Sequence, residues 1–195
     1  RDLQLMMFGG TYLHGECIAG AFGWWETVTF VSSRNRPGVA HPVVELAKQV
    51  AYDSPNMAKV LLDVGPSMEA EPRRSPLPGR FLVADQWRPV VQGRHVLVVD
   101  DTWVSGCKSQ SAAIALKLAG ARAVTIVCIA RWLNPTYSVD HEQLIKAATG
   151  PYDALRCPGA GRLVAAPVPR LRVARAEHAM RGRPVRPLPA RAEVR

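Results

Sequence analysis

No apolar run in this chain reaches the roughly 18 residues needed to cross a bilayer. Nor does it hold a Cys-x-x-Cys pair or a histidine at metal-ligand spacing. The four cysteines, Cys17, Cys107, Cys128 and Cys157, are widely scattered. They supply neither a disulfide framework nor a structural zinc site, and they read as free thiols of a reducing cytoplasm. The start, Arg1-Asp2-Leu3-Gln4, has no Met and no signal-peptide pattern, so a truncated or processed N-terminus is expected. No internal repeat is present. Evenly spread charge is lacking too. The formal net charge of +9 invites a nucleic-acid reading, but residues 158–195 hold 9 Arg against 2 Glu, while residues 1–157 hold 16 Lys and Arg against 14 acidic residues. A domain basic all over is therefore disfavoured, and nucleic acid enters only through the tail. The expected organisation is a domain over 1–157 followed by an Arg/Pro/Ala-rich tail over 158–195, too poor in periodic apolar residues to build a core.

What remains suits one α/β domain: 48% of the 195 residues are apolar. His95-Val96-Leu97-Val98-Val99 has the β-branched character of a strand buried on both faces. Asp100 to Lys108 is a polar, glycine-containing turn, and Ser109-Gln110-Ser111 is suited to cap a helix that Ala112, Leu116 and Ala119 continue. Gly120 stands at the helix C′ position, and Ala123 to Ile129 reads as a second buried strand. Strand, turn, helix and strand make a βαβ unit and hence a parallel sheet. Upstream, Thr27 to Val31 predicts a strand, Ser32 to Ala40 a polar loop, and His41-Pro42 the entry to a helix running to about Tyr52. Met57 to Val64 predicts another strand, Gly65 to Gly79 a long proline-rich loop, and Phe81 to Ala84 the strand returning from it. Residues 1–26 show no assignable pattern.

The chemistry concentrates in Val98-Val99-Asp100-Asp101-Thr102-Trp103-Val104-Ser105-Gly106-Cys107-Lys108-Ser109. In an open α/β sheet, ligands bind at the carboxyl ends of strands. A helix N-terminus offers unpaired amides and partial positive charge to a phosphate. Gly106 permits close backbone approach, and Ser105 and Ser109 bring hydroxyls. Asp100 and Asp101, as acceptors, suit a sugar's vicinal hydroxyls. An Asp-Asp pair alone is ordinary turn chemistry; the apolar strand before it and the Ser-Gly turn after it raise it above that. The spacing of Gly106 and Lys108 excludes a Walker loop. The scattered histidines His14, His41, His95, His141 and His178 read as structural or exposed, with His41 at a helix entry. Trp24, Trp25, Trp103 and Trp132 read as packing groups, and Cys107 as a small loop residue.

The segment resembles the phosphoribosyl-pyrophosphate (PRPP) motif of type I phosphoribosyltransferases. The stretch Gly93 to Leu133 is most similar to the ComF-like branch, and Val31 to Gly38 with His41-Pro42 falls where that family places its pyrophosphate loop. The resemblance covers about residues 27–133. It implies a Rossmann-like parallel sheet flanked by helices with a small hood, near residues 1–26 and 131–157, that would set acceptor specificity. It further implies that Asp100 and Asp101 hold the ribose hydroxyls directly or through Mg²⁺. Ser105, Gly106, Cys107, Lys108 and Ser109 would cradle the 5′-phosphate, and Ser33 and Arg34 would meet the pyrophosphate. Gly65 to Gly79 would be a mobile loop closing over the site. The activity implied is transfer of the phosphoribosyl group to a nucleobase-like acceptor in the cytoplasm, with PRPP-sensing as the rival role and a homodimer as a common state. Three departures stand out. Lys108 replaces the family's Thr or Ser, Val104 replaces the Asp base of some purine-specific members, and the N-terminal four-cysteine zinc element of many ComF-like proteins is absent.

Overall fold

The computed structural model describes residues 2–20, 22–33, 35–51, 57–70, 74–136, 139–148, 150–151, 153 and 156. All of these fall in the compact unit Arg1–Val164. The expected tail 158–195 and Cys157 lie outside the described residues.

Four parallel strands form the central sheet: β1 (Thr27–Phe30), β2 (Ala58–Lys59), β5 (His95–Trp103) and β6 (Ala123–Arg131), in the order β2-β1-β5-β6. The predicted βαβ unit is β5, α4 (Cys107–Leu118) and β6. On β5 the side chains alternate between two cores, as a strand covered on both faces must. Val96 and Val98 join Ala112, Ala115, Leu116 and Ala119 of α4 on one face. Leu97 and Val99 join Val28, Phe30, Val43, Leu46 and Met7 on the other. Leu97 is fully buried, and Leu97→Ala is expected to cost about 3 kcal/mol, read from the urea midpoint at unchanged slope.

Several elements differ from expectation. Residues 2–19, without an assigned pattern, form one long helix, α1 (Asp2–Ala19). It does not stand apart as a hood, since Met7 enters the core of the sheet. Its Thr11 hydroxyl accepts the Ala51 amide at 2.8 Å and donates to the Met7 carbonyl at 2.6 Å. The helix after His41-Pro42 is short, α2 (Val43–Ala47); Tyr52 lies outside the described residues. The expected strand Met57–Val64 is two strands. β2 edges the main sheet, and β3 (Asp63–Val64) pairs antiparallel with β4 (Phe81–Leu82). Gly65 to Gly79 is thus the connection of a hairpin. Its described arms are braced by the Ser67 amide on the Gly79 carbonyl (3.0 Å) and the buried Arg80 guanidinium on the Ala70 carbonyl (3.0 Å). A short helix, α3 (Arg88–Val91), leads into β5, and α5 (Val139–Ala148) follows β6. Trp25 is buried, with the exposed Trp24 edge-on against it (ring centroids 5.2 Å), and Trp132 is exposed.

Ion pairs gather at the amino end of the sheet. Glu26 accepts Arg94 at 2.6 Å and lies 3.5 Å from Arg122, and the Arg94 hydrogen bond holds its carboxyl below the usual range. Beside it His95, fully buried, donates from Nδ1 to the Gly23 carbonyl (2.7 Å) and accepts the Thr125 hydroxyl on Nε2 (2.9 Å). These groups belong to the scaffold, and they lie at the end of the strands opposite the acidic pair.

Candidate phosphate and sugar site

From β1 the chain moves outward to β2, then returns to place β5 on the other side of β1. The order reverses between β1 and β5, and in open α/β sheets the crevice at such a point takes the ligand. A cavity of about 420 Å³ lies there. Its walls are Val31, Ser32 and Ser33 after β1, Asp100, Asp101 and Thr102 at the end of β5, the turn Val104 to Ser109, and His41.

β5 runs three residues beyond the acidic pair's first member, so Asp100 and Asp101 are strand residues rather than the start of a turn. Asp100 is buried at 9% exposure, whereas Asp101 is exposed. The Asp101 amide donates to Asp100 Oδ1 at 3.0 Å, and the Ser109 hydroxyl hydrogen-bonds the same carboxyl. Burial nevertheless dominates and, with the charge of Asp101 adding to it, raises the Asp100 pKa to about 6. Across the strand pair Cys128 faces Asp100 in register. Burial and the two carboxylates push its thiol up to about 12, so it stays neutral behind the acidic pair.

The helix begins at least three residues earlier than the sequence suggests. Gly106 is the N-cap, in the left-handed region (φ 70°, ψ 3°), and Cys107 is the first helical residue. Ser109 and Ser111 therefore lie inside α4, both buried. An added Cβ at Gly106 would sit 2.2 Å from the Trp103 ring, so the indole fixes where the turn runs. The first amides of α4 have no partner within the helix, the Cys107 amide being met by the Ser105 hydroxyl at 3.5 Å, and they lie at the cavity wall with the exposed Lys108 side chain. An anion is the natural occupant.

His41 is a cavity residue that its reading as a helix entry did not include. Its Nδ1 accepts the Val43 amide at 3.3 Å, which leaves Nε2 to carry the proton of the neutral ring. Burial lowers its pKa against the pull of Asp101, with Lys108 and Arg36 lowering it further. The signal was positional: His41 follows the loop after β1, at the ligand end of the sheet. Of the other expected residues, Ser33 lines the cavity and bridges back to Arg36 across a tight turn. Arg34 lies outside the described residues. No described residue of Gly65 to Gly79 is among those lining the cavity.

Asp100 and Asp101 offer two hard carboxylates, and among the described residues no third His, Cys, Asp or Glu converges with them. That donor set fits Mg²⁺, which commonly takes one or two carboxylates and completes its shell with water and substrate oxygens. Among the described residues no helix is long and apolar enough to cross a membrane.

The fold is thus a parallel α/β sheet flanked by helices, with its cavity at the strand-order reversal. Neither a protein-family model nor a curated protein matches the sequence. Solved structures do. One is the allosteric regulatory enzyme of purine biosynthesis (18% identity, TM-score 0.38), matched over 65% of this chain and 26% of that one. Another is a phosphoribosyltransferase from Corynebacterium diphtheriae (18%, 0.38), over 68% of this chain and 80% of that one. A third is a hypoxanthine-guanine-xanthine phosphoribosyltransferase (13%, 0.33), over 65% and 60%.

Proposed function

We propose that this chain is a ComF-like phosphoribosyltransferase, which binds PRPP with Mg²⁺ and transfers its phosphoribosyl group to a nucleobase-like acceptor. One observation carries the reading: a single cavity at the strand-order reversal opposes the Asp100–Asp101 pair to the amino end of α4 with Lys108. A phosphate alone has no use for two carboxylates, and a sugar alone has no use for a helix end. A ribose carrying a diol and a 5′-phosphate uses both.

In this reading Asp100 and Asp101 accept the ribose hydroxyls or hold Mg²⁺. Ser105, Gly106, Cys107, Lys108 and Ser109 fix the 5′-phosphate, and Ser33 and Arg34 face the pyrophosphate. Bound Mg²⁺ would neutralise charge on the leaving pyrophosphate. An acceptor nitrogen forms the new bond at C1′ while the C1′–O bond breaks, its electron pair departs with pyrophosphate, and the acceptor's N–H proton passes to the pyrophosphate or to solvent. Side chains do not enter that bond exchange. Their work is to position both reactants and stabilise the developing charge.

Calorimetry of Mg-PRPP with the wild type and with the Asp100→Asn/Asp101→Asn double variant tests the site. Wild-type binding that the variant loses by at least about 100-fold is expected, since two charged contacts are removed. Equal binding by both proteins, or none by the wild type, would sink the assignment. Pyrophosphate release with a panel of bases then tests turnover; binding without release in every case would favour a PRPP sensor. Salt-dependent nucleic-acid binding that vanishes on deleting 158–195, without PRPP binding, would favour a scaffold.

A further inference from the structure

The α4 helix carries one hydroxyl that the proposed ligand never touches but that reaches the ligand's peptide group. Ser111 is 1% exposed. Its Oγ donates to the Cys107 carbonyl at 2.6 Å and accepts the amide of Leu77, 34 residues away, at 3.0 Å. The Cys107 carbonyl and the Lys108 amide belong to one peptide unit. Leu77 N–H, Ser111 O–H, Cys107 C=O and Lys108 N–H therefore form a continuous chain of donors and acceptors. It runs from the hairpin connection to the mouth of the phosphate turn along a part-buried path centred on the buried Ser111, where hydrogen bonds polarise one another.

We propose that Ser111 is a positioning residue that couples the Gly65–Gly79 connection to anion binding at the amino end of α4. An anion accepting the Lys108 N–H pushes electron density into that peptide group, so the Cys107 carbonyl becomes a stronger acceptor for the Ser111 O–H and the Ser111 oxygen a stronger acceptor for the Leu77 N–H. The Leu77 amide in turn is held more firmly. Coupling is reciprocal: a docked Leu77 strengthens the Lys108 amide as a donor, and an undocked one weakens it. The buried Arg80–Ala70 bond and the Ser67–Gly79 bond keep the arms of the connection together. Leu77 therefore reports the state of the described arm that lies beside α4. This inference takes from the proposed function only that the turn binds an anion.

Hydrogen exchange of the full chain, alone, with Mg-PRPP and with millimolar inorganic phosphate, tests it. In the wild type either anion should slow exchange in the turn 105–109 and at Leu77 together. In Ser111→Ala the Leu77 amide should exchange faster without ligand, affinity should fall roughly fivefold, and ligand should still protect the turn but no longer Leu77. Ser111→Thr keeps the hydroxyl and should restore both responses. Leu77→Pro, which removes the donor and leaves α4 untouched, should weaken binding to the same degree. Combining it with Ser111→Ala should weaken binding no further, and the single Leu77→Pro variant keeps the test standing even if Ser111→Ala fails to fold. Inorganic phosphate protecting both places without PRPP binding would uphold the coupling and refute the phosphoribosyl reading. PRPP binding with Leu77 unresponsive in the wild type, or still responsive in Ser111→Ala, would overturn the coupling alone. Protection of the turn by neither anion would overturn both.

Discussion

Asp100→Asn should make the protein more stable at pH 8 while abolishing its binding of Mg-PRPP. The Asp100 carboxyl is held by burial at a pKa of about 6, above its ordinary value of 3.8. Between about pH 4 and pH 6 the folded chain keeps a proton that the unfolded chain has released. Stability of the wild type therefore falls as pH rises through that window and levels off above it. The full displacement corresponds to roughly 3 kcal/mol, an upper bound for what ionising this group costs the fold. Asparagine keeps the hydrogen-bonding capacity toward the Asp101 amide and Ser109 without the buried charge. It should raise the melting temperature by several degrees at pH 8 and by progressively less toward pH 4. Binding moves the other way. Only ionised Asp100 can accept a diol or Mg²⁺ as a charged partner, so wild-type affinity should fall about tenfold per pH unit below 6. Melting curves and calorimetry from pH 4 to 8 check both. A variant less stable than the wild type at pH 8, or a wild type whose stability is flat across the window, would remove the claim that this carboxylate is held at a cost to the fold.

That cost explains what was legible in the sequence and what was not. The unit from His95 to Arg131 could be read because local signals agree with its tertiary role. Val96 to Val99 are buried on alternating sides, and Gly120 takes the positive φ (90°) of a helix C′ residue. The acidic pair stood out because charge following such a strand conflicts with burial unless something uses it. α1 was hidden for the opposite reason. Met7, Thr11, His14, Gly15 and Ala19 make a buried face at helical spacing. The outward positions Leu3, Leu5, Met6 and Phe8 are apolar as well, so the sequence carries no contrast between faces, and Gly9-Gly10 mimics a turn. The strand read at Phe81 is present as β4, but the division of Met57–Val64 into β2 and β3 was not legible, because at two residues each they are too short for any periodicity and their pairing comes from the sheet. The start of α4 was misplaced because Ser109 and Ser111 read as caps. Their hydroxyls instead serve Asp100, Cys107 and Leu77, contacts that only the folded chain brings together.

Gly106→Ala should cripple the site through two separable effects. At φ 70° an alanine is strained by roughly 1–2 kcal/mol wherever it is placed. Here its Cβ would also lie 2.2 Å from Trp103 Cζ2 and 2.5 Å from both Cε2 and Cη2, well inside van der Waals contact. Either the indole swings away or the turn is pushed from it, and the turn is what aims the first amides of α4. Loss of Mg-PRPP affinity by at least about 100-fold is expected, since several amide contacts depend on that aim. A drop of roughly 2–4 kcal/mol in stability should accompany it. Trp103→Ala in the same chain removes the collision but leaves the backbone strain. The double variant should therefore recover the steric share of the stability loss and not the conformational share, a coupling that a double-mutant cycle on urea midpoints measures directly. Full additivity of the two substitutions would show that Trp103 does not set the turn. Wild-type affinity in Gly106→Ala would show that the anion does not sit against this backbone at all, and the phosphate half of the site would have to be sought elsewhere along the cavity wall.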